Sequence, residues 1–134
     1  MKIDITPIED VDDGILITTE GMWNHAELVA VVQEIQRLSP TYVILDPTNS
    51  IIAVTQALSF EETSELRRKN IKAVVQMMAK NPRMLYIVIN RNENPAFLSS
   101  MSVYEEYGVT DRYFFVKTLD EAKQIIRDHK SPKH

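Results

Sequence analysis

The side chains in this 134-residue sequence that could do chemistry stand at the ends of apolar runs. Asp46 closes Tyr42-Val43-Ile44-Leu45 and leads into Pro47-Thr48-Asn49, while Lys117 closes Arg112 to Val116. Asp and Lys at the ends of two central strands are a phosphoryl-accepting pair, provided an acidic pair straight after the first strand holds Mg²⁺. The acidic pair here, Asp12-Asp13, precedes a strand and sits in a hairpin turn, at the other end of the sheet. The pattern therefore fails on topology. Asp46 reads more simply as an Asx-type turn ahead of Pro47.

Other chemistries find less support. His25, His129 and His134 lack the close spacing of metal ligands, so no metal site is expected. No Gly-x-Ser-x-Gly elbow activates a serine. Three glycines, at 14, 21 and 108, cannot build a phosphate loop, and no cofactor is expected. Zero Cys excludes disulfides, thiolate nucleophiles and Cys-ligated metals. Arg67-Arg68-Lys69 with Lys72 is the single basic cluster; it spreads around a helix whose Glu61, Glu62 and Glu65 stand one turn away, and reads as a solvated face.

The elements that must position these groups are punctuated by Gly and Pro. Ile3-Asp4-Ile5 and Ile15-Leu16-Ile17-Thr18 flank an Asp13-Gly14 turn, an antiparallel hairpin over about residues 2–20 that Gly21 ends. Leu28, Val31, Val32, Ile35 and Leu38 recur at helical spacing, with Asn24 as N-cap, Trp23 stapling the start and Ser39-Pro40 as the stop. Tyr42–Leu45 is the unbroken run of a strand covered on both faces, ended by the turn residues Asp46–Asn49. No period holds over residues 50–58. Ser59 and Glu62 open a helix running to Pro82, and the change of face near Lys69-Asn70 allows for a break. Met84–Ile89 is the strongest strand. Asn94-Pro95 opens a further helix that Gly108 closes, with Phe97, Met101 and Tyr104 on one face. Arg112–Val116 is the last strand, and Thr118 with Glu121 caps a terminal helix to about His129, leaving 130–134 as a flexible tail.

The expected architecture is a single α/β domain over residues 1–129, with a mixed, mainly parallel sheet of about five strands and about four helices. Leu, Ile, Val and Phe make up 39 of the 134 residues, well above the range of disordered chains. A net charge of -4 argues against nucleic-acid binding. Met84–Ile89 is the longest apolar run, too short for a membrane span, and a cytoplasmic protein is expected.

This arrangement resembles the STAS-like, or SpoIIAA-like, domains of sulfate transporters and anti-sigma-factor antagonists over about residues 10–129. The matching pieces are Ile15–Gly21 before a first helix, Tyr42–Asp46, Leu85–Ile89, the Met101–Tyr107 helix, and Phe114-Phe115-Val116-Lys117-Thr118-Leu119-Asp120-Glu121-Ala122. Anti-sigma-factor antagonists switch partners through a phosphorylated serine in an Asp-Ser-Ser-Gly-type segment. The corresponding segment here, Val54–Leu58, keeps a hydroxyl only at Thr55, which places the chain in a divergent branch.

The resemblance implies a non-enzymatic regulatory or protein-interaction module whose partner meets the surface built from the segment Ser50–Leu58 and the third helix, with Phe97, Leu98 and Met101. Asp46, Thr48, Asn49, Ser50 and Thr55 are the candidate binding or switch residues. A phosphate on Thr55 would gain from the N–H donors and dipole of the following helix. The alternative is a carrier of a small apolar molecule or lipid, with Phe97, Leu98 and Met101 lining its pocket. An enzyme using Asp46 as base is the weakest reading. A homodimer is compatible with all three.

Overall fold

A computed structural model describes residues 2–23, 25–52, 60–89 and 105–130. In chain order the elements are β1 (Lys2–Pro7), β2 (Gly14–Trp23), α1 (His25–Leu38), β3 (Tyr42–Ile52), α2 (Phe60–Lys80), β4 (Leu85–Ile89), β5 (Tyr113–Val116) and α3 (Leu119–Lys130). The strands form one sheet in the order β1-β2-β3-β4-β5; β1 is antiparallel to β2 and every later pair is parallel. The mixed, mainly parallel sheet expected from the sequence is the one observed. Three helices are described against four expected; the helix opening at Pro95 lies outside the described residues except at its end. There Glu105 and Glu106 are helical and Gly108, at φ +67°, closes the turn with its N–H on Glu105 O at 3.1 Å.

The parallel strands step across the sheet in sequence order, so right-handed crossovers bring α1 and α2 to the same face. Val31, Val32 and Ile35 of α1 and Val74, Val75, Met77 and Met78 of α2 bury there against Ile17, Val43, Leu45, Tyr86 and Val88. With no strand after it, α3 is free to fold over the other face. Ala122 and Ile126 meet Ile44, Ile87 and Ile89 there. The alternation along β3 and β4 divides their apolar run between two cores, which is why Leu85–Ile89 is buried at every position.

Local signals account for the joints. Gly14 starts β2 where an added Cβ would come within 2.8 Å of both Ile8 Cδ1 and Val11 Cγ1, so glycine lets the hairpin loop close over its own backbone. Ser39 takes φ 48° after α1 and donates to Ile35 O at 2.8 Å, with Pro40 forbidding another turn. Thr118 Oγ1 accepts from Glu121 N at 3.1 Å, and Glu121 Oε2 reaches back to Lys117 N at 3.5 Å, so α3 opens on the expected cap.

Three expectations are corrected. Gly21 does not end β2; the strand runs to Trp23 because Gly21 pairs with Ser50, Met22 with Ile51 and Trp23 with Ile52. Trp23 thus ends a strand instead of opening a helix. Asp46-Pro47-Thr48-Asn49 is not a turn but the middle of β3. The register passes from Thr18↔Asp46 to Glu20↔Asn49, three residues against two, and this bulge absorbs a proline that cannot donate to the ladder. Lastly, α2 shows no break at Lys69-Asn70 and continues for 21 residues.

Candidate functional site

Ligands of open α/β sheets gather beyond the carboxyl ends of the parallel strands. At that end Asp46 is half-buried, level with Thr18 of β2, which is level with Asp4 of β1. By strand parity these three share the α3 side of the sheet, and Glu20 follows on the same side one step further on. Asp46 is engaged in a polar interaction there. The core under α3 takes residues of β3, β4 and β5, such as Ile44, Ile87 and Val116, and none of this row.

The other candidates fall in different places. Thr48, Asn49 and Ser50 belong to the strand extension of β3, with Asn49 opposite Glu20 and Ser50 opposite Gly21. They join Asp46 on one strand, where the sequence suggested a loop. Thr55, Phe97, Leu98 and Met101 lie outside the described residues. Lys117 follows β5 directly and is exposed. Asp46 stands level with Val116, two strands away, which separates it from the lysine's strand by about 10 Å. Asp13 is at the opposite end of the sheet, where its Oδ2 accepts from Thr41 Oγ1 at 2.6 Å and Thr41 N at 3.2 Å. The phosphoryl-accepting constellation is therefore not assembled.

The starts of the strands hold an arrangement that sequence reading missed. Arg112 Nη1 donates to Asn81 O at 2.9 Å, Met84 O at 3.1 Å and Met78 O at 3.2 Å. One guanidinium thus satisfies carbonyls at the end of α2 and in the turn into β4. The acceptors are backbone atoms more than 25 residues from Arg112, so residue types carried no signal of the contact. Beside it Tyr42 Oη and His129 Nδ1 are 2.9 Å apart, with their rings edge-on at 5.6 Å, tying α3 to the start of β3. Burial, with the Asp13 carboxylate adding to it, pushes the Tyr42 phenol above its ordinary pKa. An open groove of about 700 Å³ runs along this end, floored by Leu85, Phe114 and Ile125 and rimmed by Arg83, Asp111, Arg112 and Asp128.

No group of three or more His, Asp or Glu that could hold a metal occurs among the described residues. No helix among them is long and apolar enough to cross a membrane. The site end offers the carboxylates of Asp4, Glu20 and Asp46, the Thr18 hydroxyl and strand backbone; it can accept hydrogen bonds and present a polar surface.

No protein-family model matches the chain, and no curated protein matches it. Solved structures do. A crystal structure of an anti-sigma factor antagonist from Mycobacterium paratuberculosis aligns over 95% of this chain and 96% of its own, with a TM-score of 0.50 and 16% sequence identity. The chain is thus an α/β protein with the fold of an anti-sigma factor antagonist, the STAS-like fold its sequence resembles.

Proposed function

We propose that this protein is a non-enzymatic regulatory module that works by binding another protein. The observation that carries the reading is the shared fold: an anti-sigma factor antagonist of nearly the same extent overlies the chain from end to end. The polar residues Asp4, Thr18, Glu20 and Asp46 on one side of the sheet support it: Asp4 and Glu20 are exposed, Thr18 and Asp46 half-buried, and none belongs to either apolar core. Thr55 follows that extension in sequence and precedes α2, so a phosphate there would add negative charge beside a helix N-terminus.

Native mass spectrometry of the protein purified from its own host tests this. The expected result is a complex with a second polypeptide at fixed stoichiometry, whose population changes in Thr55→Glu. A small apolar adduct with no protein partner would overturn the reading in favour of a carrier. Doubling of the subunit mass would identify a homodimer. An unchanged complex in both Thr55→Glu and Thr55→Ala would remove the switch while leaving the module.

A further inference from the structure

We propose that the exposed side of α2 from Arg68 onward, continuing to Arg83, is a docking surface for an acidic segment of a partner protein. This rests on the reading of the chain as a protein-interaction module and names the chemistry of the partner.

Charge is segregated along the sequence. Residues 66–92 carry Arg67, Arg68, Lys69, Lys72, Lys80, Arg83 and Arg91 and no Asp or Glu. Residues 1–65 carry twelve acids against Lys2 and Arg37. A solvated face made only for solubility mixes its signs.

The helix gathers these cations on one side. At about 100° per residue, Arg68, Lys72, Lys69 and Lys80 fall within an arc of about 120°, opposite Val74 and Met78. Burial agrees: Arg68, Lys69, Lys72 and Lys80 are exposed with the uncharged Gln76 and Ala79, while Val74, Val75 and Met78 are buried. The consecutive residues at 67–69 do spread around the cylinder, yet the longer spacing restores a stripe about 18 Å long from Arg68 to Lys80. Arg83, exposed in the following turn, extends it.

Among the described residues, the charges of Arg68, Lys69, Lys72, Lys80 and Arg83 are not used by the fold. Arg37 pairs with Glu34 on α1, whereas among the described residues Arg68, Lys69, Lys72, Lys80 and Arg83 make neither a salt bridge nor a hydrogen bond. Glu65 lies one turn ahead of Arg68 and Lys69, but Lys72, Lys80 and Arg83 are beyond its reach. The helix dipole favours a cation in the last turn, which explains Lys80 and leaves Lys72, two turns earlier, without that reason.

The occupant follows from the extent of the patch. An anionic membrane or a nucleic acid is an extended polyanion and would also meet the acids of residues 1–65. A second copy could offer its exposed loop Glu9, Asp10 and Asp12, but that contact is head-to-tail and would build a closed ring or an open filament. A stripe of this length instead matches one acidic segment, with carboxylates repeating each helical turn, on a different protein.

The test is a fluorescence-anisotropy titration of the full chain with a labelled synthetic helix bearing Glu at every fourth position. Parallel titrations use phosphatidylserine vesicles and a single-stranded DNA oligomer. Saturable, salt-sensitive binding to the peptide is expected. Lys72→Glu/Lys80→Glu should weaken it at least about tenfold, while the charge-matched Lys117→Glu/Arg127→Glu on the far side of the sheet changes it less than about twofold. If the first double variant does not fold by circular dichroism, Lys72→Gln/Lys80→Gln serves in its place. Equal losses in both doubles, tighter binding to vesicles or DNA, or concentration-dependent rings or filaments would overturn the proposal. The two readings fail separately. A host partner that still binds Lys72→Glu/Lys80→Glu removes this surface and keeps the module; no host partner for the unsubstituted chain removes the module itself.

Discussion

The two faces of the sheet are built to different standards. One is roofed by α1 and α2, which enclose a core from Ile17 across to Val88. Among the described residues the other has one roofing helix, α3, over β3, β4 and β5, and gives way towards β1 and β2 to Asp4, Thr6, Thr18 and Glu20. The difference is written in alternation: Ile3, Ile5, Ile15 and Ile17 point to the double-helix side, while of the alternate positions Asp4, Thr6 and Thr18 are polar and Leu16 packs towards α3. A strand buried on both faces needs a continuous apolar run, so β4 sits mid-sheet and β1 at an edge. One face supplies stability. The other leaves surface to spare.

That comparison can be broken in five ways. The largest effect is expected from Ile35→Ala, a fully buried residue of α1 between helix and sheet, which should lower unfolding free energy by about 3–4 kcal/mol in a denaturant titration. Ile126→Ala, equally buried but in the smaller core under α3, should cost about 2–3 kcal/mol. Hydrogen exchange should show its loss concentrated in α3; a uniform loss across the chain would mean the two faces are one cooperative layer. Arg112→Met retains much of the aliphatic stem and removes one donor from each of three carbonyls, of which Met78 O and Asn81 O keep a backbone N–H, for a loss of about 1–3 kcal/mol. Thr118→Ala removes the cap of α3 and should cost about 1 kcal/mol, read as a shift in melting temperature.

The smallest effect concerns pH. The Tyr42 phenol is held above its ordinary pKa in the folded chain, so the folded state favours the neutral form. That contribution is complete below the unfolded pKa of about 10 and is lost as pH rises through the higher folded value. Stability should therefore decline on the alkaline side. Tyr42→Phe should flatten the decline while costing about 1 kcal/mol at neutral pH through the lost His129 contact. An alkaline profile identical to that of the unsubstituted chain would assign the decline to other groups.

Much of the fold was legible because its signals are local. The helix period of α1, the Thr118–Glu121 cap, the Ser39-Pro40 stop and the Gly108 terminus each depend on residues within one or two turns, and each is in place. The misreadings share a cause. Gly21 and Pro47 are breakers by local rules, yet β2 and β3 pair past both, since a parallel partner supplies hydrogen bonds that the chain at those positions cannot reveal. The candidate site was partly legible: Asp46 stands at the expected end of the sheet, but its neighbours Asp4 and Thr18 come from other strands, and only register brings them level.

The sequence by itself determined the element order, the apolar stripes and the sheet's mixed direction, because side-chain period, caps and turn residues act over a few bonds. Tertiary structure alone decided which of those stripes met. It set Arg112 on the carbonyls of Met78, Asn81 and Met84, Tyr42 against His129, and Asp13 under Thr41. Such contacts join backbone and side-chain atoms far apart in the chain, and their partners are fixed by crossover handedness and strand register, which no short window of residues encodes.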